Sequence, residues 1–127
     1  MKLFVSEKIE VRESPIHGRG VFAVKTIEAG EIIEECHFIL LEQNFEDIDN
    51  NLKEYVFSWP KNSLSAKSSV VLGNGSIYNH SKNNNADWKT VIEKNIFQFF
   101  AIKKIKEGEE ICTNYGEAYE NFVKKLN

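Results

Sequence analysis

Only two cysteines, Cys36 and Cys112, occur in the 127 residues. Two thiols cannot make a zinc site without histidines, and their spacing matches no ligand pattern, so no metal is expected. A single disulfide is compatible with the count, but the apolar surroundings favour buried thiols in a reducing compartment. Long hydrophobic runs are also missing. "HFILL" and "IFQFFAI" are far too short to cross a bilayer. The start, "MKLFVSEKIE", lacks the basic region and apolar core of a signal peptide. The expectation is an intracellular protein without membrane association. No charge of one sign dominates: 16 basic and 19 acidic residues give −3. That argues against direct nucleic-acid binding and suits a basic partner such as a lysine-rich protein tail. Solenoid periods, linkers and low-complexity tracts are absent too. A chain of this length is one domain, able to bury about two thirds of its unfolded surface.

What is present reads as short strands. "KIEVRE" alternates Ile9 and Val11 with charged residues, the period of a half-buried strand. "GVFAVKTI" and "EIIEECHFILLE" are β-rich runs around a turn at Gly30, and "NIFQFFAIKKI" and "EEICTNY" repeat that layout around Gly108. The two units align as Ala23-Val24-Lys25-x-Ile27-x-x-Gly30-Glu31-x-Ile33 and Ala101-Ile102-Lys103-x-Ile105-x-x-Gly108-Glu109-x-Ile111. The plain expectation is two hairpins that use the same turn. "FEDIDNNLKEYVFSW" has roughly helical spacing, yet "EYVFSW" also suits a strand, and Pro60 ends either one. In the tail, Tyr119, Phe122, Val123 and Leu126 fall on one helical face, predicting a short amphipathic helix. The fold class is mostly β with minor helical pieces.

Three stretches could carry chemistry. In "SPIHGRGVFA", Gly18 and Gly20 flank Arg19 in a turn whose backbone a ligand could approach. A strand follows and the third glycine is missing, so it is no dinucleotide fingerprint. "GSIYNHS" sets Asn79, His80 and Ser81 behind Ile77 and Tyr78, a segment that reads as buried strand. His80 can bridge strands through its ring nitrogens. A hydrolase reading of His80 and Ser81 fails, because neighbours on a strand point to opposite faces. "GEEICTNYG" ends on a tyrosine, Tyr115, just before Gly116.

In this order the three stretches resemble the SET domain, the fold of protein lysine methyltransferases, over about Val11 to Tyr119. They are similar to that family's GxG, GNxARFINHS and GEELTxDY elements, with the nearest likeness to the minimal viral members. The resemblance implies several small curved sheets and a C-terminal pseudoknot that brings "NHS" beside "NYG". It implies one minimal SET domain over residues 1–127, with a core of about 11–119, a variable insert of about 42–65 and a tail of 117–127. It also implies methyl transfer from S-adenosyl-L-methionine to a lysine in a protein substrate, a histone or another basic protein.

The residue roles come from the resemblance as well. His17, Gly18, Arg19 and Gly20 would contact the methionyl part of the cofactor, and Asn79 and His80 its amino group and adenine. Tyr55, Tyr115 and Phe122 complete the cofactor side; Tyr55, Thr113, Tyr115 and Tyr119 line the lysine channel. Tyr115 is the catalytic tyrosine. No cysteine-rich flank is present to finish the channel, which leaves that task to the tail or to a second subunit of a homodimer. Thr113 stands where relatives often carry Phe or Tyr, and Asn114 replaces an acidic residue. The implied location is the nucleus or chromatin of a host cell for a histone substrate, otherwise the cytoplasm. A catalytically inactive SET-like binding module is the alternative.

Overall fold

The computed structural model describes residues 2–116. The tail expected to be helical, with Tyr119 and Phe122, lies outside the described residues. Three small sheets carry the chain. The first has the order β1 (Ile9–Glu13), β2 (Arg19–Ala23), β10 (Glu110–Thr113), β7 (Asn79–His80). The second is β3 (Ile32–Cys36), β9 (Ile96–Ala101), β8 (Ala86–Val91). The third is β4 (Phe38–Leu40), β6 (Lys67–Val71), β5 (Val56–Trp59). No helix among the described residues is long and apolar enough to cross a membrane.

The two sequence-related units are not hairpins. β2 pairs with β1 and β10, whereas β3, from the same unit, pairs with β9. Each unit crosses from one sheet to the other and exchanges strands with its twin. The crossing points are reciprocal: Ile27 and Ile105 each donate their N–H to the other's carbonyl at 2.8 Å. Gly30 N–H reaches Ala101 O and Gly108 N–H reaches Ala23 O, both at 2.8 Å. Gly30 and Gly108 adopt φ of 88° and 91°, left-handed turns that a side chain would strain. Both isoleucines are fully buried, so the crossing is also the centre of the core.

Two further readings need correction. "EIIEECHFILLE" breaks at His37 into β3 and β4, which belong to different sheets. The residues before Asn79 form a turn from Leu72 to Ile77, and the buried strand of this region is the earlier β6. Tyr78 is nevertheless fully buried, stacked on Phe99 at 4.6 Å between ring centroids. Between β4 and β5, Asp49 caps a one-turn helix, α1 (Asn50–Lys53), by accepting from Asn51 N–H at 2.8 Å. The strand reading then prevails from Val56, because Phe57 packs edge-on against Phe97, Phe99 and Trp88. β1 lies at a sheet edge, so Val11 stays 39% exposed although Ile9 packs on the core.

A bulge in β3 between Ile32 and Glu34 breaks the inside–outside alternation and turns the Glu34 carboxylate inward. It is held there by the Tyr78 hydroxyl at 2.7 Å and Asn74 N–H at 2.9 Å. Burial first, then Glu34, pushes the Tyr78 hydroxyl and the Cys36 thiol up from their ordinary values. Burial, then Glu110, pushes Cys112 up from 9.0 to about 12.

Stability should therefore depend on alkaline pH. These groups stay neutral when folded and ionise more readily when unfolded, so their contribution is complete below the unfolded values. It falls above those values and is gone beyond the folded ones. Urea unfolding should give constant stability from neutrality to about pH 8.5, then a loss approaching about 1.4 kcal/mol per pH unit per group. A Cys36→Ala/Cys112→Ala variant should lose most of the slope between about pH 9 and 10. An unchanged slope in that variant would contradict the assignment.

Candidate functional site

The site is assembled by the parallel pairing of β7 with β10, which sets Cys112 beside Asn79 and Thr113 beside His80. Asn85 braces β10. Its Oδ1 accepts from Cys112 N–H at 2.9 Å and its Nδ2 donates to Glu110 O at 2.8 Å. Ser81 N–H continues the ladder to Thr113 O, while Ser81 Oγ accepts from Asn83 N–H, away from any nucleophilic role.

On one side of this ladder stands the glycine turn. Asn79, 7% exposed, donates through Nδ2 to His17 O at 3.1 Å, Arg19 O at 3.0 Å and Glu110 Oε2 at 2.7 Å. Two hydrogens are thus shared among three acceptors. Glu110 Oε1 accepts from Ser14 Oγ–H at 2.7 Å, and Ser14 Oγ in turn accepts from Ile16 N–H at 3.0 Å. Gly18 has a φ of 48° and faces open space, with nothing within 4 Å of where a Cβ would stand. Gly20 is the opposite case: a Cβ there would lie 2.2 Å from Glu110 Oε2.

Tyr115 occupies the centre. Its N–H donates to His80 Nδ1 at 2.9 Å, which places the ring proton of a neutral His80 on Nε2. Its hydroxyl donates in a short hydrogen bond to Tyr78 O. That bond commits the phenolic hydrogen, so the oxygen offers only lone pairs elsewhere. Its ring meets Phe57 edge-on at 6.3 Å.

Tyr115 also lines a cavity of about 310 Å³. Phe45, Val56, Phe57 and Trp88 form its apolar part, with Lys53, Glu54, Ser58, Ala66, Lys67 and Ser68 around them. That volume is at the lower end for a ligand pocket, and a lining of aromatic rings mixed with polar and charged groups fits a slender guest that is partly apolar.

The expected residues divide accordingly. His17, Gly18, Arg19, Gly20, Asn79, His80 and Tyr115 come together. Tyr55 does not line the cavity, although its neighbours Glu54 and Val56 do; its carbonyl lies 3.5 Å from Ser76 Oγ. Thr113, on the central strand β10, is fully buried and is not among the residues lining this cavity. Its hydroxyl has no hydrogen-bond partner among the described residues. Tyr119 and Phe122 lie outside the described residues. Sequence reasoning missed Glu110, Asn85, Phe57 and Trp88; the aromatic density of "YVFSW" was the one available signal for a cavity wall. Among the described residues no cluster of three or more His, Cys, Asp or Glu is arranged to hold a metal.

Comparison with known proteins identifies the fold. The family model described as SET domain matches residues 18–116. The chain is 30% identical over 118 residues to "Histone-lysine N-methyltransferase, H3 lysine-37 specific" of Schizosaccharomyces pombe, covering 89% of this chain and 76% of that protein. It is 32% identical over 122 residues to "Histone-lysine N-methyltransferase EZH2" of Chaetomium thermophilum, covering 86% of this chain but 8% of that protein. A crystal structure of a Plasmodium falciparum protein assigned as a histone methyltransferase superposes with a TM-score of 0.72 at 31% identity. It covers 89% of this chain and 96% of the other.

The crowding at Gly20 gives a test of this geometry. Gly20→Ala should force Glu110 off Asn79 and lower stability by about 1–3 kcal/mol. Urea denaturation with an unaltered midpoint would show that the carboxylate moves aside freely.

Proposed function

Because the chain belongs to the SET domain family, we propose that it is an S-adenosyl-L-methionine-dependent protein-lysine N-methyltransferase. The observation that carries this reading is the position of Tyr115. Its backbone N–H is tied to His80 and its hydroxyl to Tyr78, either side of the Asn79 that holds the glycine turn, and the residue lines an aromatic cavity. A cofactor site and a substrate channel would then meet at one tyrosine.

The residues suit the cofactor. The open turn at Gly18 offers main-chain groups to an amino-acid head, and Asn79 Oδ1 is an acceptor not used by the network above. His17, Gly18, Arg19, Gly20, Asn79 and His80 would hold it, with Tyr55 and Phe122 assigned to the same side by family likeness. When bound, the cofactor supplies an electrophilic methyl group on a sulfonium.

The chain's own part is positioning. Phe57, Trp88 and Tyr115 would strip water from the lysine side chain, lowering its pKa below the usual value of about 10.4 so that the amine is neutral. The lone pairs of the Tyr115 oxygen would accept an amine N–H and contact the polarised methyl, stabilising the transition state. Thr113 and Tyr119 are the remaining channel positions expected by likeness.

The relatives' names support a histone substrate, and a net charge of −3 is compatible with a basic tail. Action in the nucleus or on chromatin follows from that substrate; another basic protein would place it in the cytoplasm. We assign residues 1–127 to one minimal SET domain, with core, insert and tail as delimited above, similar to the small viral members.

Transfer of labelled methyl groups to histones tests the activity. Tyr115→Phe should cut turnover roughly a hundred- to thousandfold, about 2.7–4 kcal/mol, with little change in cofactor affinity. Asn79→Ala should weaken cofactor binding directly, as calorimetry would read. Wild-type turnover in the first variant with normal binding in the second would refute this site. Cofactor binding without transfer to any lysine-bearing protein would instead favour a catalytically silent SET-like binding module.

A homodimer is the expected assembly. β4 is a sheet edge carrying Ile39 at 53% and Leu40 at 40% exposure, a surface that favours self-association. Light scattering of an active preparation should give twice the chain mass at micromolar concentration; a monomer there contradicts it.

A further inference from the structure

The turn from Ser14 to Gly20 has little of its own to hold it. His17, Gly18 and Arg19 are exposed, and Gly18 makes its turn at a positive φ. Beyond the bonds that Ser14 makes within it, its shape is fixed by two side chains from elsewhere, Asn79 and Glu110. Asn79 Nδ2 draws in the carbonyls of His17 and Arg19, the two residues flanking Gly18. In a trans peptide the N–H opposes the C=O. Drawing His17 O inward therefore aims the Gly18 N–H outward, where it has no acceptor among the described residues.

Glu110 governs both ends of this arrangement. One carboxylate oxygen takes a hydrogen from Asn79 Nδ2 at 2.7 Å and so fixes the amide's orientation. The other takes the Ser14 hydroxyl at 2.7 Å. Ser14 then closes the turn, its Oγ accepting from Ile16 N–H at 3.0 Å and its N–H donating to Gly18 O at 2.8 Å. The carboxylate lies against the Gly20 Cα, in space that any Cβ would fill. A negative group at that spot would repel a bound carboxylate if exposed to it, but both of its oxygens are engaged by these donors.

We infer that Glu110 is a positioning residue: through Asn79 and Ser14 it sets the His17–Gly20 backbone to receive the amino-acid head of the cofactor. This rests on the cofactor site proposed above. The side-chain partners of Glu110, Asn79 and Ser14, lie at the glycine turn and outside the aromatic cavity, so its effect falls on the head group.

Two ligands separate this role from a general loss of structure. S-adenosylhomocysteine carries the amino-acid head, and 5′-methylthioadenosine lacks it. Both would be titrated into wild-type protein and into Glu110→Ala, Glu110→Gln and Ser14→Ala, the weaker ligand by competition. Glu110→Ala should weaken S-adenosylhomocysteine about tenfold or more, the loss of one or two hydrogen-bonded constraints, and leave methylthioadenosine within about twofold. Glu110→Gln should recover part of the difference, because its amide can still bridge Asn79 and a rotated Ser14 hydroxyl. Ser14→Ala, at a turn position, should show a smaller loss of the same selectivity. Equal weakening of both ligands, or no weakening of either, would overturn the role of Glu110. Wild-type protein that bound neither ligand would overturn the cofactor reading, and this inference with it.

Discussion

The contacts of Asn79, His80 and Tyr115 depend on a parallel register between the two-residue strand Asn79–His80 and the Cys112–Thr113 end of β10. Because side chains alternate along a strand, slipping this register by one residue would turn each to the other face. Asn79 would leave the glycine turn, and His80 would no longer accept from Tyr115 N–H. So short a ladder has few hydrogen bonds of its own, and side chains make up the deficit. Asn85 imitates another strand against Glu110 and Cys112, while His80 and Tyr115 lock the far end.

That register is available only because the two related units exchange strands. Had each closed on itself as a hairpin, β10 would have paired with β9. The reciprocal crossing of Ile27 and Ile105 carries β10 beside β2 instead, where its other edge is open to β7. The result is the juxtaposition of "NHS" with "NYG" that family likeness implied. The crossing and the site are thus one problem with one solution: the fully buried isoleucines stabilise the arrangement that the polar network requires.

The core reaches the site through Tyr78 too. Its ring stacks on Phe99 and its hydroxyl is held by the buried Glu34, so its carbonyl, the acceptor for the Tyr115 hydroxyl, has little freedom. The donor of that last bond is also a wall of the aromatic cavity. Rigid apolar packing behind a polar site is what catalysis by positioning demands. The glycine turn is the contrasting part, exposed and shaped from outside by Asn79 and Glu110. Within one site, the cavity side is built on strands and the turn side on side-chain clamps.

The mostly β character and the glycine turns were legible from local pattern, because alternation and turn glycines are properties of adjacent residues, whereas His17, Asn79, His80 and Tyr115 were grouped only by family resemblance. The ambiguity of "KEYVFSW" was legible as an ambiguity, and tertiary packing of Phe57 resolved it. Strand exchange was not legible, since hairpin and exchanged pairing satisfy the same local hydrogen bonds and differ only in partner. Nor was the inward turn of Glu34, which follows from a bulge, nor the part of Glu110, whose partners lie 31 and 96 residues away. The burial of Thr113 belongs here too: sequence placed it two residues before Tyr115, but only the neighbouring strands decided that it faces the interior. Sequence by itself determined which chemical groups this protein possesses and the turns that bring the chain around. Tertiary structure alone decided which of them meet, because contacts between distant residues depend on pairing choices that local sequence leaves open.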